Sequence, residues 1–236
     1  MDNMTRGEIF ANNEFYHVYN RGVDKRSIFG DEYDVQRFYQ SMDEFNCVEP
    51  IGSIFENQYK LGDPTSKSKS DKLVGFVAYC LNPNHYHFIL EQLVDNGISM
   101  FMKRLGGYTQ YFNEKYERSG SLFQGKYKVR HIGSTNYLLH LSAYVNLNYE
   151  VHNLGDPRLL PTIGRAGRST SKFKLTKSSW GEYIGDKNSE NFCKKEIVLD
   201  QFKSTKEYEI FAKEALGLMR EKKDNNNELK SLAMEE

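Results

Sequence analysis

Val74-Gly75-Phe76-Val77-Ala78-Tyr79-Cys80-Leu81-Asn82-Pro83-Asn84-His85-Tyr86-His87-Phe88-Ile89-Leu90-Glu91 is an apolar run, a turn and a second apolar run. Asn82-Pro83-Asn84 is turn chemistry between two segments of strand composition, so the stretch predicts a β-hairpin. Successive strand side chains point to opposite faces. His85 and His87 therefore project together, while Tyr86 and Phe88 face the other way into a core. Two imidazoles at that spacing suit a shared metal ion. The plainer reading of the pair alone is a half-exposed strand that happens to carry two histidines.

The neighbouring segments supply the rest of an α+β fold. Phe15-Tyr16-His17-Val18-Tyr19-Asn20 reads as a strand ended by Arg21-Gly22. Asp31 or Asp34 caps a helix running to about Asn46, with Val35, Phe38, Tyr39 and Met42 on one side. Ile51–Tyr59 is a further candidate strand, and Gly62–Lys72 is a polar surface loop. Helical periodicity runs through Ser99–Tyr116, a strand with alternating basic residues spans Lys126–Ile132, and Ser134-Thr135-Asn136 caps a helix over Tyr137–Asn148. The order β, α, β-hairpin, α, β, α predicts an antiparallel sheet with helices on its faces. Beyond Asn148 the chain changes character. Gly155–Thr176 is basic and rich in Gly, Ser and Thr; Ser178–Gly185 holds the single tryptophan, Trp180; Ile197–Phe202 is a short segment and Thr205–Leu218 an amphipathic helix. The expected organisation is one domain over residues 1–150 and an extension over 151–236.

The chain has 236 residues and a formal net charge of zero, but the charge is unevenly spread. Residues 1–95 carry 15 acidic and 9 basic side chains, residues 103–131 carry 2 and 7, and residues 157–181 carry none and 6. Screening confines each charge to its neighbourhood, so a basic stretch can bind phosphates whatever the total. Lys103, Arg104, Lys126, Lys128, Arg130 and Arg168 are the candidate DNA-backbone contacts. Tyr108, Tyr111, Phe123 and Tyr127 are either core residues or platforms for stacked bases. Three widely separated cysteines argue against a disulfide framework and for a reducing, cytoplasmic setting. No run of the sequence has the length and apolarity of a membrane span, and Met1–Arg6 does not resemble a signal peptide.

The Tyr137–Asn148 segment adds a second half to the histidine site. His140, Tyr144 and Asn148 are four residues apart and share a helical stripe. A phenol nucleophile thus stands beside an amide oxygen able to complete a metal site begun by His85 and His87. The alternative is that Tyr144 simply rims the core.

At this point the chain resembles the single-tyrosine HUH transposases, and most closely the REP-associated tyrosine transposases. The resemblance runs through Phe15–Phe38, the Leu81–Phe88 motif, Ser119–Lys128 and the Tyr137–Asn148 helix. It departs at Tyr149, where proline is usual, at His140, where an acid is common, and at Lys126, where arginine is usual. The resemblance implies a ferredoxin-like antiparallel sheet (the HUH endonuclease fold) with a C-terminal extension. It implies a metal-dependent single-stranded DNA endonuclease and strand-transferase. In that reading His85, His87 and Asn148 hold Mg²⁺ or Mn²⁺, and Tyr144 forms a 5′-phosphotyrosine link at hairpin-associated sites. It favours a monomer. A non-catalytic binder of DNA or RNA hairpins is the alternative, and a rolling-circle initiator or relaxase fits the tyrosine helix less well.

Overall fold

The computed structural model describes residues 10–49, 71–151 and 175–232, with side chains described up to residue 221. The expected strand at 51–59, the 155–174 part of the basic stretch and most of the 62–72 loop lie outside these residues.

Five strands form one antiparallel sheet: β1 (Phe15–Arg21), β2 (Val74–Asn82), β3 (His85–Gln92), β4 (Lys128–His131) and β5 (Lys177–Ser178). Their order is β4-β1-β3-β2-β5. Helix α1 (Glu32–Glu44) joins β1 to β2. Helices α2 (Gly97–Leu105) and α3 (Tyr108–Lys115) lie between β3 and β4, and α4 (Thr135–Asn146) follows β4. The first four strands with their helices have the ferredoxin-like βαββαβ plan, and β5 extends the sheet beside β2. No helix among the described residues is long and apolar enough to cross a membrane.

Local sequence chemistry explains the boundaries. Asp31 caps α1 by accepting the Asp34 amide at 3.0 Å, while Asp34 accepts the Asp31 amide at 3.3 Å, a reciprocal capping box. The predicted single helix over Ser99–Tyr116 is two helices, interrupted at Gly106-Gly107. There Gly107 N–H donates to the Arg104 carbonyl and Thr109 N–H to the Gly106 carbonyl, three residues back rather than four. A glycine pair has the backbone freedom to tighten that turn and redirect the chain. Strand β4 is shorter than predicted at both ends. Gly22 is required where β1 ends, because a Cβ there would lie 2.1 Å from the Arg26 carbonyl oxygen.

The sheet has two unlike faces. Helices α1, α2 and α3 cover one, where Phe38, Met42, Phe101, Leu105 and Tyr108 pack on Val18, Phe76, Tyr86, Phe88 and Leu90. Helix α4 covers the other, placing Leu138, Leu141 and Val145 against Ala78, Cys80 and Ile89. The extension joins this second core through α6 (Trp180–Ile184), α7 (Glu196–Leu199) and α8 (Thr205–Leu232), which bury Tyr183, Val198, Tyr208 and Ala212. A short helical turn, α5 (Asn148–Val151), continues from α4. A β-bulge between Phe76 and Ala78 in β2 lets Val77 and Ala78 both serve the second core.

Candidate active site

The histidine hairpin forms as its sequence predicts. β2 and β3 pair from Asn82↔His85 outward, and Gly22 N–H binds the Asn84 carbonyl at 2.8 Å. His85 and His87 lie on the α4 face, with rings 5.2 Å apart and nearly perpendicular. Helix α4 is capped by Ser134, whose side chain accepts the Tyr137 amide at 3.3 Å. Tyr144 thereby comes over the hairpin, its ring 5.4 Å from that of His87.

Asn148 lies just beyond the end of α4, where the Leu147 backbone leaves helical geometry (φ −107°, ψ 13°). That departure turns its amide inward, and it is fully buried. Asn148 Oδ1 is 2.9 Å from His85 Nε2, and the Asn82 amide NH₂ group faces both atoms, at 2.8 Å and 3.0 Å. Two further contacts settle which His85 nitrogen bears the proton. Asn84 donates its Nδ2–H to the Lys25 carbonyl, so Asn84 Oδ1 is the atom 2.6 Å from His85 Nδ1. His85 Nδ1–H then donates, and in the neutral imidazole Nε2 is a lone pair. A nitrogen lone pair and an amide oxygen therefore converge, and Asn148 Nδ2 is buried with no hydrogen-bond partner.

These acceptors and the adjacent His87 fit a small divalent cation: two imidazoles and one amide oxygen suit Mn²⁺ and accommodate Mg²⁺. No trio of His, Cys, Asp or Glu side chains among the described residues is grouped to hold a metal; the third donor beside the two histidines is the Asn148 amide oxygen, 2.9 Å from His85 Nε2.

A cavity of about 270 Å³ opens over these groups, lined by Tyr19, Asn20, Arg21, His85, His87, Gln124, Lys128 and Tyr144. Arg21, Lys128 and the nearby Arg130 give it positive charge and a fit to phosphate. Burial pushes the Tyr144 phenol above its usual pKa, while the neighbouring Asn148 amide and Arg21 charge pull it back. His17 is held far below the usual histidine range, at about 4, by burial and by Arg130.

The other candidates divide. Lys103 and Lys126 border a second groove of about 280 Å³, lined also by Phe123, Tyr127 and Tyr86, that shares Asn20 with the first cavity. Gly125, in this connecting loop, has φ +76°, and its carbonyl accepts a hydrogen bond from Asn20 at 3.2 Å. Tyr108 is a core residue with its hydroxyl on the Ile28 carbonyl, and Tyr111 donates to Asp34. Arg104, also expected as a DNA contact, is engaged within the fold. Its guanidinium binds the carbonyls of Phe45, Cys47 and Val48, tying α2 to the end of α1. Arg168 lies outside the described residues. His140 is exposed and packs on Phe211, away from Tyr144 and Asn148. Sequence reading passed over His17, Tyr19 and Gln124, although period-two alternation along β1 puts His17, Tyr19 and Arg21 on one face.

Residues 55–148 match the family described as Transposase IS200 like. No curated protein matches the chain. A solved structure of a REP-associated tyrosine transposase bound to a REP hairpin is similar at 15% identity, covering 75% of this chain and 98% of that one, with a TM-score of 0.40. The matched segment, similar to the IS200-like transposases, is the one that carries both histidines, Tyr144 and Asn148.

Proposed function

We propose that this chain is a single-tyrosine transposase that cuts and joins single-stranded DNA at hairpin-associated sites through a 5′-phosphotyrosine intermediate on Tyr144. The observation that carries the reading is the convergence of His85 Nε2 and the buried Asn148 Oδ1 at 2.9 Å beneath a cavity that His85, His87 and Tyr144 line. Tyr144 lies over the histidines of its own chain, 5.4 Å ring to ring from His87, which supports action within one subunit.

His85, His87 and Asn148 would hold Mg²⁺ or Mn²⁺, which when bound would supply positive charge to the scissile phosphate. Tyr144 Oη attacks phosphorus in line. The tyrosine–phosphorus bond forms as the bond to the 3′ oxygen breaks, leaving a free 3′-hydroxyl on the upstream piece. A 3′-hydroxyl reverses the step on the same or another strand, so joining needs no nucleotide cofactor. Arg21 and Lys128 orient the phosphate from the cavity mouth, and Arg130 adds charge beside it. Lys103 and Lys126 steer the flanking strand along the second groove. Arg168 remains a candidate backbone contact. The narrow cavity between helix and sheet favours an unpaired strand at the cut.

The test uses single-stranded hairpin oligonucleotides from DNA flanking the gene, end-labelled in turn, with Mn²⁺ or Mg²⁺. An adduct stable to denaturing electrophoresis, carrying the 3′ portion and lost with EDTA or in Tyr144→Phe, is expected. Tight metal-independent binding with no adduct would replace this reading with that of a hairpin-binding protein.

A further inference from the structure

His85 and His87 are both buried, but each has a different neighbour behind it. For His85 the neighbour is Asn84, whose oxygen takes the Nδ1 proton and leaves Nε2 bare. For His87 it is another histidine: His17 Nε2 lies 2.9 Å from His87 Nδ1. The ring planes are 18° from parallel and the centroids 5.2 Å apart. Two ring radii account for the difference between those distances, so the two nitrogens lie nearly on the line joining the rings. That is the geometry of one proton shared between two imidazoles. A cation between two nitrogens in line needs them about 4 Å apart, so the gap excludes a bridging metal. His17 also does not line the cavity, whereas His87 does.

We propose that His17 is a positioning residue that accepts the His87 Nδ1 proton, fixing His87 in the tautomer whose Nε2 presents a lone pair to the cavity. The opposite arrangement, with His17 donating, leaves the proton on His87 Nε2 and removes it as a ligand. The inference rests on the metal reading of the site. His17 needs only an acceptor nitrogen at this point, and strand pairing supplies its position: Tyr19 pairs with His87 and His17 with Ile89. The stacked Tyr19 ring, 4.8 Å from His17 and 5.6 Å from His87, keeps both imidazoles in plane. A ligand histidine whose second nitrogen is held in this way loses about 10- to 100-fold in metal affinity when the partner is removed.

The experiment is a Mn²⁺ titration of the full chain without DNA, reading free Mn²⁺ by electron paramagnetic resonance. It compares the unaltered protein with His17→Gln, which keeps an acceptor, and His17→Phe, which does not. Spin-echo modulation counts the coordinated imidazoles. Thermal unfolding in EDTA reports the fold of each variant separately. The expected result is two imidazoles on the metal in both the unaltered protein and His17→Gln. His17→Gln should bind within a few-fold of the unaltered protein, and His17→Phe about 10- to 100-fold more weakly. Equal binding by all three, equal loss in both variants, or a third imidazole in the unaltered protein would each overturn the positioning role. Failure of the unaltered protein to bind Mn²⁺ would overturn the metal site itself, a result distinct from these.

Discussion

The two faces of the sheet are built from alternate residues of the same strands and make opposite use of burial. On the α1 face, Tyr86, Phe88 and Leu90 join an apolar core whose buried charge, Asp34, is satisfied several times over. Asp34 accepts from Tyr111, Tyr116, Lys115 and the Gly30 amide at 2.6–3.0 Å. On the α4 face, His17, His85, His87, Asn82 and Asn148 are buried, His85 Nε2 and Asn148 Oδ1 converge at 2.9 Å, and the Asn148 amide nitrogen has no partner. An unsatisfied buried polar group costs on the order of 1–3 kcal/mol. Both faces carry an apolar core, but the α1 face satisfies its buried polar group, whereas the α4 face holds the proposed ligand groups with one amide unsatisfied, an arrangement that costs stability.

Neighbouring residues on β3 separate these contributions most sharply. Phe88→Ala removes a fully buried ring and should cost about 3–5 kcal/mol, read as a lower urea midpoint with little change in slope. His87→Ala strands the His17 nitrogen and should cost less, about 1–3 kcal/mol, while abolishing DNA adduct formation and weakening Mn²⁺ binding on the order of 100-fold. Comparable unfolding by both substitutions would break the division between the faces.

The hairpin was legible because three signals coincide in it: turn residues at 82–84, alternation through 85–90 and two like side chains two apart. The tyrosine helix was equally legible, but Asn148 belongs to the site for a reason that helical spacing does not contain. The helix ends at Asn146, and it is the changed backbone at Leu147 that turns the amide inward. His17 was overlooked because its significance lies in pairing between strands separated by most of a domain. The carbonyls of Phe45, Cys47 and Val48 that the Arg104 guanidinium meets are not visible in a basic run of sequence. The Gly106-Gly107 break was visible in composition, yet the apolar period continues across it.

The extension sharpens the comparison from outside the cavity. Tyr208 on α8 accepts from Asn146 Nδ2 at 2.9 Å and meets Ser142 Oγ at 3.1 Å, and Ser179 Oγ donates to Asn146 Oδ1 at 2.6 Å. These bonds fasten the tyrosine helix at the end that leads into Asn148. Tyr208→Phe strands the Asn146 donor and should cost about 1–3 kcal/mol, with a fall in adduct yield at saturating metal. An unchanged urea midpoint would mean that apolar packing alone seats this helix.

A smaller effect is expected at the seam between the two faces. Glu182 on α6 accepts the Phe192 and Cys193 amides through one oxygen, at 2.9 and 2.8 Å, while its other oxygen is buried without a partner. Burial, the largest influence, raises its carboxyl pKa above the ordinary value; the two amide donors and Lys195 oppose it. The folded chain thus keeps this proton to a higher pH than the unfolded chain does. Its contribution is full below the unfolded value and is lost as pH rises through the folded one. Glu182→Gln cannot titrate, so urea midpoints from about pH 4 to 7 should show the unaltered protein losing stability relative to the variant as pH rises. A difference of the opposite sign would mean that the two backbone donors outweigh burial. The group would then resemble the well-satisfied Asp34 more than the unpaired amide of Asn148.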